Sequence, residues 1–292
     1  SEELYVAPKD ENKMGQFINF GLAAAHEAIL DSGIDTLEES VRSKIGVCLG
    51  SGIGGLGNIE QGAKDLANGK RVSPFFIPST LINLLPGQVS IKYGFAGPNL
   101  AIATACTTGA HTIGEAANLI MRNDADIVIA GSSESSITPL GISGFCACHA
   151  LTTSFNECPE KASRPWDQAR SGFVMSEGAG VLVLEEYEHA KKRGAKIYGK
   201  ILGYGLSADA YHITSPHPGG DGARTCMQRA IKQANVNIKD IQYINAHSTS
   251  TIVGDQIELD TVQNLFLEEN PHVAMSSTKG AIGHMLGAAG SV

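Results

Sequence analysis

Short runs of β-branched and apolar residues recur along the chain. Between them lie longer segments in which apolar positions return every three or four residues. The runs are SKIGVCLGSG around Ile45, LAIATAC from Leu100, ADIVIAGSS around Ile127, AGVLVLEE from Ala179, IYGKILGYG from Ile197, IQYINAH from Ile241 and HVAMSST from His272. Each predicts a β-strand. Residues 15–32, 80–93, 109–123, 221–234 and 255–268 have helical length and period; in the third of these Ala110, Ile113, Ala117 and Ile120 share one face. Strands alternating with helices predict an α/β fold.

Composition narrows the class. A chain of 292 residues with 42% hydrophobic content can bury a large core, as one large domain or two fused halves. Its apolar runs fall well short of the roughly 20 residues that cross a bilayer, so no membrane insertion is expected. A net charge of -8 argues against a nucleic-acid partner, which calls for clustered Lys and Arg on one face. The six cysteines, Cys48, Cys106, Cys146, Cys148, Cys158 and Cys226, show neither a disulfide framework nor zinc-ligand spacing. Reduced thiols in an intracellular compartment, and no metal, are expected. The N-terminus SEELYVAPKDENKMGQF has no initiator Met and no targeting pattern, and HMLGAAGSV stops in a Gly/Ala segment. Both ends read as cuts through a longer protein.

Two local features suggest chemistry. GSGIGGLG at residues 50–57 directly follows a predicted strand and fits G-x-G-x-x-G at Gly50, Gly52 and Gly55. No acidic residue ends the following strand, as a dinucleotide site would need for its ribose. ATACTTGAH places Cys106 between an apolar run and a helix start. There the helix dipole favours the thiolate, although a cysteine in such a place can equally be a small buried hydrophobe. NAHSTST sets His247 at the end of another strand, and STKGAIGHMLGAAG sets Lys279 and His284 just after a third. Strand carboxyl ends are the usual address of α/β sites.

With those segments in view the chain resembles the β-ketoacyl-acyl carrier protein synthases, in the elongating subgroup with a Cys-His-His centre. The resemblance runs through PFFIPSTLINLLPGQVSIKYGFAGPN, ATACTTGAH, ITPLGISGF, SRPWDQARSGFVMSEGAGVLVLEEYEHAKKRGAKIY, DAYHITSPHP, NAHSTST with GDQIE, and STKGAIGHMLGAAG. It covers nearly everything from Met14 onward. The resemblance implies a thiolase-like fold of two similar βαβαβαββ halves in five α-β-α-β-α layers, here incomplete at both termini. It implies a division into residues 1–180, carrying the nucleophile, and 181–292, carrying the histidines and the lysine. A homodimer is also implied.

It further implies the reaction. Cys106 takes an acyl chain from the phosphopantetheine of acyl carrier protein. His247 and His284 stabilise the enolate formed when malonyl-acyl carrier protein decarboxylates, and Lys279 orients His284. The product is a 3-ketoacyl thioester two carbons longer. No cofactor is bound, because the carrier protein supplies the phosphopantetheine. The Cys106 N–H is one oxyanion donor, and the second belongs to a Phe-bearing C-terminal loop of relatives. Thr249 and Thr251 match residues that bind the pantetheine arm; His212 and Thr214 match the tunnel mouth. Ile53 matches an acyl-tunnel gate, with Phe76 and Phe145 nearby, and Lys70 with Arg71 matches a carrier-protein contact.

Ser248, Ser171 and His149 depart from the usual Gly or Ala, Asp and Arg of the family. A catalytically impaired fragment or a silent carrier-protein-binding subunit of the same family is the alternative function. A biosynthetic thiolase and a coenzyme A-primed synthase fit less well, the first needing a second catalytic Cys and the second an Asn in place of the second His. RSGFV and STKGAIGH resemble mitochondrial members, which implies the mitochondrial matrix, with a bacterial cytoplasm as the alternative.

Overall fold

The computed structural model describes residues 13–292. The N-terminal stretch weighed above for targeting falls largely on residues 1–12, outside the described residues. The chain forms two compact units: one holds residues up to Ser143 with Ser176–Tyr198 and Met285–Val292, the other Gly144–Met175 and Gly199–His284. The resemblance implies a division at residue 180, whereas by contacts the chain leaves the first unit and re-enters it twice.

In chain order the first unit contains α1 (Gln16–Ser32), β1 (Gly46–Gly50), α2 (Leu56–Ala67), α3 (Phe76–Thr80), α4 (Leu84–Tyr93), β2 (Asn99–Leu100), α5 (Thr108–Met121), β3 (Ile127–Glu134), the start of α6 (Pro139–Ala147), β4 (Gly178–Glu185) and α7 (Tyr187–Lys192). The strands form one sheet in the order β2-β1-β3-β4, with β2, β1 and β3 parallel and β4 antiparallel. Every residue of β1 and β3 is buried, as parallel strands covered on both faces must be.

The period-two alternation of side chains sorts these strands between two cores. Val47, Leu49, Ile127 and Ile129 meet Phe17, Ile18, Leu22, Ala25 and Ile29 of α1 and Leu85 and Val89 of α4. Cys48, Val128 and Ala130 meet Ala116 and Leu119 of α5 on the opposite face. The α1 positions recur at helical spacing, so one stripe of that helix is removed from water. Full burial of each large aliphatic side chain contributes about 1.5–3 kcal/mol.

The second unit carries α8 (Asp221–Ala234), β5 (Tyr243–Asn245), α9 (Ile252–Phe266), β6 (Ala274–Ser276) and the single turn α10 (Lys279–Ile282). β5 and β6 pair in parallel, with Tyr243 opposite Ala274, and α8 packs on α9.

Three expectations need correction. LAIATAC is not a strand up to its cysteine: ladder pairing ends at Leu100, and Cys106 lies in a 3-10 turn, Ala105–Thr107. The helix foreseen over 80–93 is two helices, broken at Leu81–Asn83, with Pro86 in the first turn of α4, where a missing N–H costs nothing. IYGKILGYG forms no ladder among the described residues; Cys226 of α8 donates its thiol to the Gly205 carbonyl at 3.1 Å instead. Among the described residues no helix is long and apolar enough to cross a membrane.

Candidate active site

Cys106 is half-buried and belongs to the first unit. It is presented by a tight turn in which Ala105, a residue with a Cβ, has φ of 51°. That left-handed conformation costs on the order of 1–2 kcal/mol and persists only where its surroundings hold it. Thr108 does the holding. Its fully buried hydroxyl accepts the Thr104 N–H at 2.9 Å and donates to the Ala105 carbonyl at 2.8 Å. Thr107 closes the turn from the other side through the Thr104 carbonyl, at 2.6 Å. The cysteine thus enters α5 at its amino end, where the helix's unpaired N–H groups point outward.

The histidines belong to the second unit. His247 leaves β5 by a loop that two carboxylates of α9 fasten down. The N–H groups of His247 and Ser248 donate to the Glu258 carboxylate at 2.8 and 2.7 Å, and the Ser248 hydroxyl donates to it at 2.7 Å. The departure to serine at 248 therefore adds a bond to the clamp. Asp255, fully buried, accepts the N–H of Thr251 at 3.2 Å and of Trp166 at 2.9 Å, with the Arg170 guanidinium 3.7 Å away. Burial raises the Asp255 carboxyl above its ordinary range, against the pull of those N–H groups and of Arg170. Opposite, Ser277 donates to the Ser248 carbonyl at 2.7 Å.

Lys279 opens α10 and is buried, and His284 follows the helix, 2% exposed. The His284 N–H donates to the Val174 carbonyl at 2.8 Å, and its ring meets those of Phe173 and His247 edge-on, at centroid distances of 5.1 and 5.4 Å. Burial, with the charges of His247 and Lys279 beside it, lowers the His284 pKa to about 3. His247 is also lowered, by burial first and the Lys279 charge second, against the opposing Glu258 carboxylate. At neutral pH both rings are uncharged, and each keeps one N–H to donate.

The remaining sequence-derived positions are scattered. Thr249 is buried, and its hydroxyl donates to that of Thr251 at 3.3 Å. His212 and Thr214 sit exposed on a loop, the Thr214 N–H reaching the His212 ring at 3.2 Å. Ile53 and Phe76 are half-buried in the first unit, whereas Phe145 lies in the second, edge-on to Phe173 at 5.4 Å. Lys70 and Arg71 are exposed just after α2, Lys70 3.9 Å from Asp65. Ser171 pairs with the Thr152 hydroxyl at 2.6 Å, and His149 is exposed with φ of 54°.

Sequence reasoning gave no role to Thr108, Glu258 or Asp255. The carboxylates were within view, because an acidic pair three residues apart at the start of α9 is placed to accept N–H groups from the preceding loop.

Residues 3–190 match the model of the β-ketoacyl synthase N-terminal domain, and residues 198–292 match that of its C-terminal domain. The chain belongs to the β-ketoacyl synthase family. It is 52% identical to the 3-oxoacyl-[acyl-carrier-protein] synthase 2 of Rhizobium meliloti over 99% of its own length and 69% of that protein's. It is 49% identical to the mitochondrial 3-oxoacyl-[acyl-carrier-protein] synthase of Arabidopsis thaliana, over 96% of this chain and 61% of that one. Among solved structures it resembles a β-ketoacyl synthase from Burkholderia phymatum, with a TM-score of 0.89, 31% identity and coverage of 98% of this chain and 70% of that one. It also resembles a type II PKS acyl-carrier protein in complex with its ketosynthase, with a TM-score of 0.88, 31% identity, 94% of this chain and 69% of that one. The α/β fold of this family member is of the thiolase type.

Proposed function

We propose that the chain works as the elongating condensing enzyme of fatty acid synthesis, a 3-oxoacyl-[acyl-carrier-protein] synthase, with Cys106, His247, Lys279 and His284 as its catalytic residues. The observation that carries this assignment is the pair of imidazoles, His247 and His284, set edge to face beside a buried lysine, in a chain whose family performs this acyl transfer.

The chemistry follows from those groups. The Cys106 sulfur attacks the acyl thioester carried on phosphopantetheine; the phosphopantetheine thiol leaves with a proton, and the acyl group stays on Cys106. Malonyl thioester then loses carbon dioxide. The electron pair of the broken bond becomes an enolate, whose oxygen accepts N–H bonds from His247 and His284. Neutral rings suit this task, because they stabilise charge as it develops without giving up a proton. The enolate carbon attacks the acyl carbonyl, the Cys106 N–H supports the resulting oxyanion, and expulsion of the cysteine sulfur releases the 3-ketoacyl chain. Thr249 and Thr251 take the pantetheine arm, with His212 and Thr214 at its entry, and Ile53, Phe76 and Phe145 shape the acyl tunnel.

Acyl carrier protein is the partner, and the exposed Lys70 and Arg71 give its acidic surface a contact despite the chain's own negative charge. β2 is an edge strand with both residues exposed, Leu100 by 43%, which favours pairing with a second copy as a homodimer. The mitochondrial matrix is the location drawn from the sequence, with a bacterial cytoplasm as the alternative; relatives of both origins are similarly close.

The test is to incubate the chain with acyl-loaded carrier protein and map the acyl group by peptide mass, then add malonyl-loaded carrier protein. Acylation confined to Cys106, followed by release of a 3-ketoacyl product, is expected. Acyl groups elsewhere, or a stable Cys106 ester that malonyl carrier never discharges, would overturn the assignment.

A further inference from the structure

Glu134 ends β3 and is fully buried, and every bond to its carboxylate comes from a donor. Oε1 accepts the Ser51 hydroxyl at 3.0 Å, the Ile53 N–H at 3.3 Å and the Ser136 hydroxyl at 3.0 Å. Oε2 accepts the N–H groups of Gly52 at 2.9 Å and Gly287 at 3.1 Å. Ser51 also accepts the Gly54 N–H at 3.0 Å, closing the loop on itself. The glycine-rich loop that invites comparison with a phosphate cradle is therefore filled by a carboxylate of its own fold. The fit leaves no room for side chains, since a Cβ on Gly52 would stand 2.6 Å from Oε2 and one on Gly287 2.2 Å from the Gly52 nitrogen.

We propose that Glu134 is a positioning residue for acyl-chain selection: through loop 51–54 it fixes the backbone of Ile53, and with it the width of the acyl gate. The proposal rests on the reading of Ile53 as gate. The two oxygens divide the work, and this makes the role separable from general stability. In Glu134→Gln the amide oxygen can keep the Gly52 and Gly287 N–H groups. The NH2 then faces Ser51 and Ser136, whose hydroxyls rotate to accept, but it also faces the Ile53 N–H, which has no such freedom. The substitution thus releases Ile53 while retaining the rest of the anchor.

The experiment measures acylation of Cys106 from hexanoyl- and palmitoyl-carrier protein, and separately the decarboxylation of malonyl-carrier protein without acyl donor. In Glu134→Gln the palmitoyl-to-hexanoyl ratio should change about three- to tenfold, the worth of one backbone hydrogen bond, with decarboxylation held within about twofold. Ser136→Ala, which removes a donor from the same oxygen and leaves loop 51–54 attached, should keep the unsubstituted ratio. An unchanged ratio in Glu134→Gln, or equal loss of both activities, overturns the proposal. Should Glu134→Gln give no cooperative melt, Ser51→Ala decides by the same criterion. Ile53→Ala separates the two levels. If it shifts the ratio and Glu134→Gln does not, the inference fails while the gate reading stands; if it does not, both fall, as they do if the unsubstituted chain shows no condensation.

Discussion

His284 should make the folded chain acid-sensitive in a way that one substitution can isolate. Its ring titrates near 3 in the folded state against an ordinary 6.5, because burial and the neighbouring His247 and Lys279 oppose a second positive charge. A histidine lowered on folding binds its proton in the unfolded chain first, so its contribution is complete above pH 6.5 and lost as pH falls toward 3. At about pH 5 the gap is one and a half units, and each unit is worth about 1.4 kcal/mol, so about 2 kcal/mol disappears. Urea denaturation between about pH 5 and 8, on the chain and on His284→Gln, measures it. The variant pays its own packing cost at every pH, and the carboxylates titrate alike in both proteins, so the difference in slope reports His284. The unsubstituted chain should lose about 2 kcal/mol more than the variant on going from pH 8 to 5. Parallel curves would refute the claim that this imidazole is held neutral by its surroundings.

Three further outcomes test the supports of the site. Glu258→Gln should lower kcat about 10- to 100-fold while the carrier-protein KM holds, since a charged acceptor of three loop bonds is worth about 1.5–3 kcal/mol; steady-state kinetics over carrier-protein concentration reads the split. Thr108→Val keeps the shape but strands the Thr104 N–H, which should cost about 1–3 kcal/mol in urea denaturation and slow acylation of Cys106. Cys48 is buried and its thiol is pushed up to about 12, so iodoacetamide should miss it in the folded chain and reach it in urea, whereas exposed Cys146 and Cys148 react in both. Peptide mass mapping distinguishes these, and prior acylation should protect Cys106 alone.

The parts of the structure that a linear pattern can reveal are those whose cause is local. Residues 221–234 are helical as their period predicts, and β3 is a strand because its apolar run packs on both faces of one sheet. LAIATAC shows where that logic stops. An apolar extended run has the same composition whether its N–H groups meet a neighbouring strand or turn away, and here only Asn99 and Leu100 find partners, opposite Val47 and Cys48. The loop positions of His247, Lys279 and His284 just after β5 and β6 were legible because strand-to-loop transitions are written in the sequence, whereas Cys106 lies beyond the end of β2 in a turn of its own. What holds them was less so. Thr108 reads as one more helix residue, and only the positive φ of Ala105 gives its hydroxyl a purpose.

The glycine loop marks the same boundary more sharply. Its G-x-G-x-x-G spacing correctly announces a cluster of converging N–H groups, since glycines permit the close backbone approach such a cluster requires. Nothing in the spacing says which anion fills it. Glu134 lies 82 residues beyond Gly52, and the Gly287 N–H that completes the ring of donors a further 153 residues on. Long separations of this kind are the reason a nucleotide fingerprint can recur where the anion is a carboxylate of the same fold. The loop's donors are spent on the fold itself, and their satisfaction by an internal carboxylate is what turns a flexible glycine segment into a fixed wall beside the residue assigned to the acyl gate.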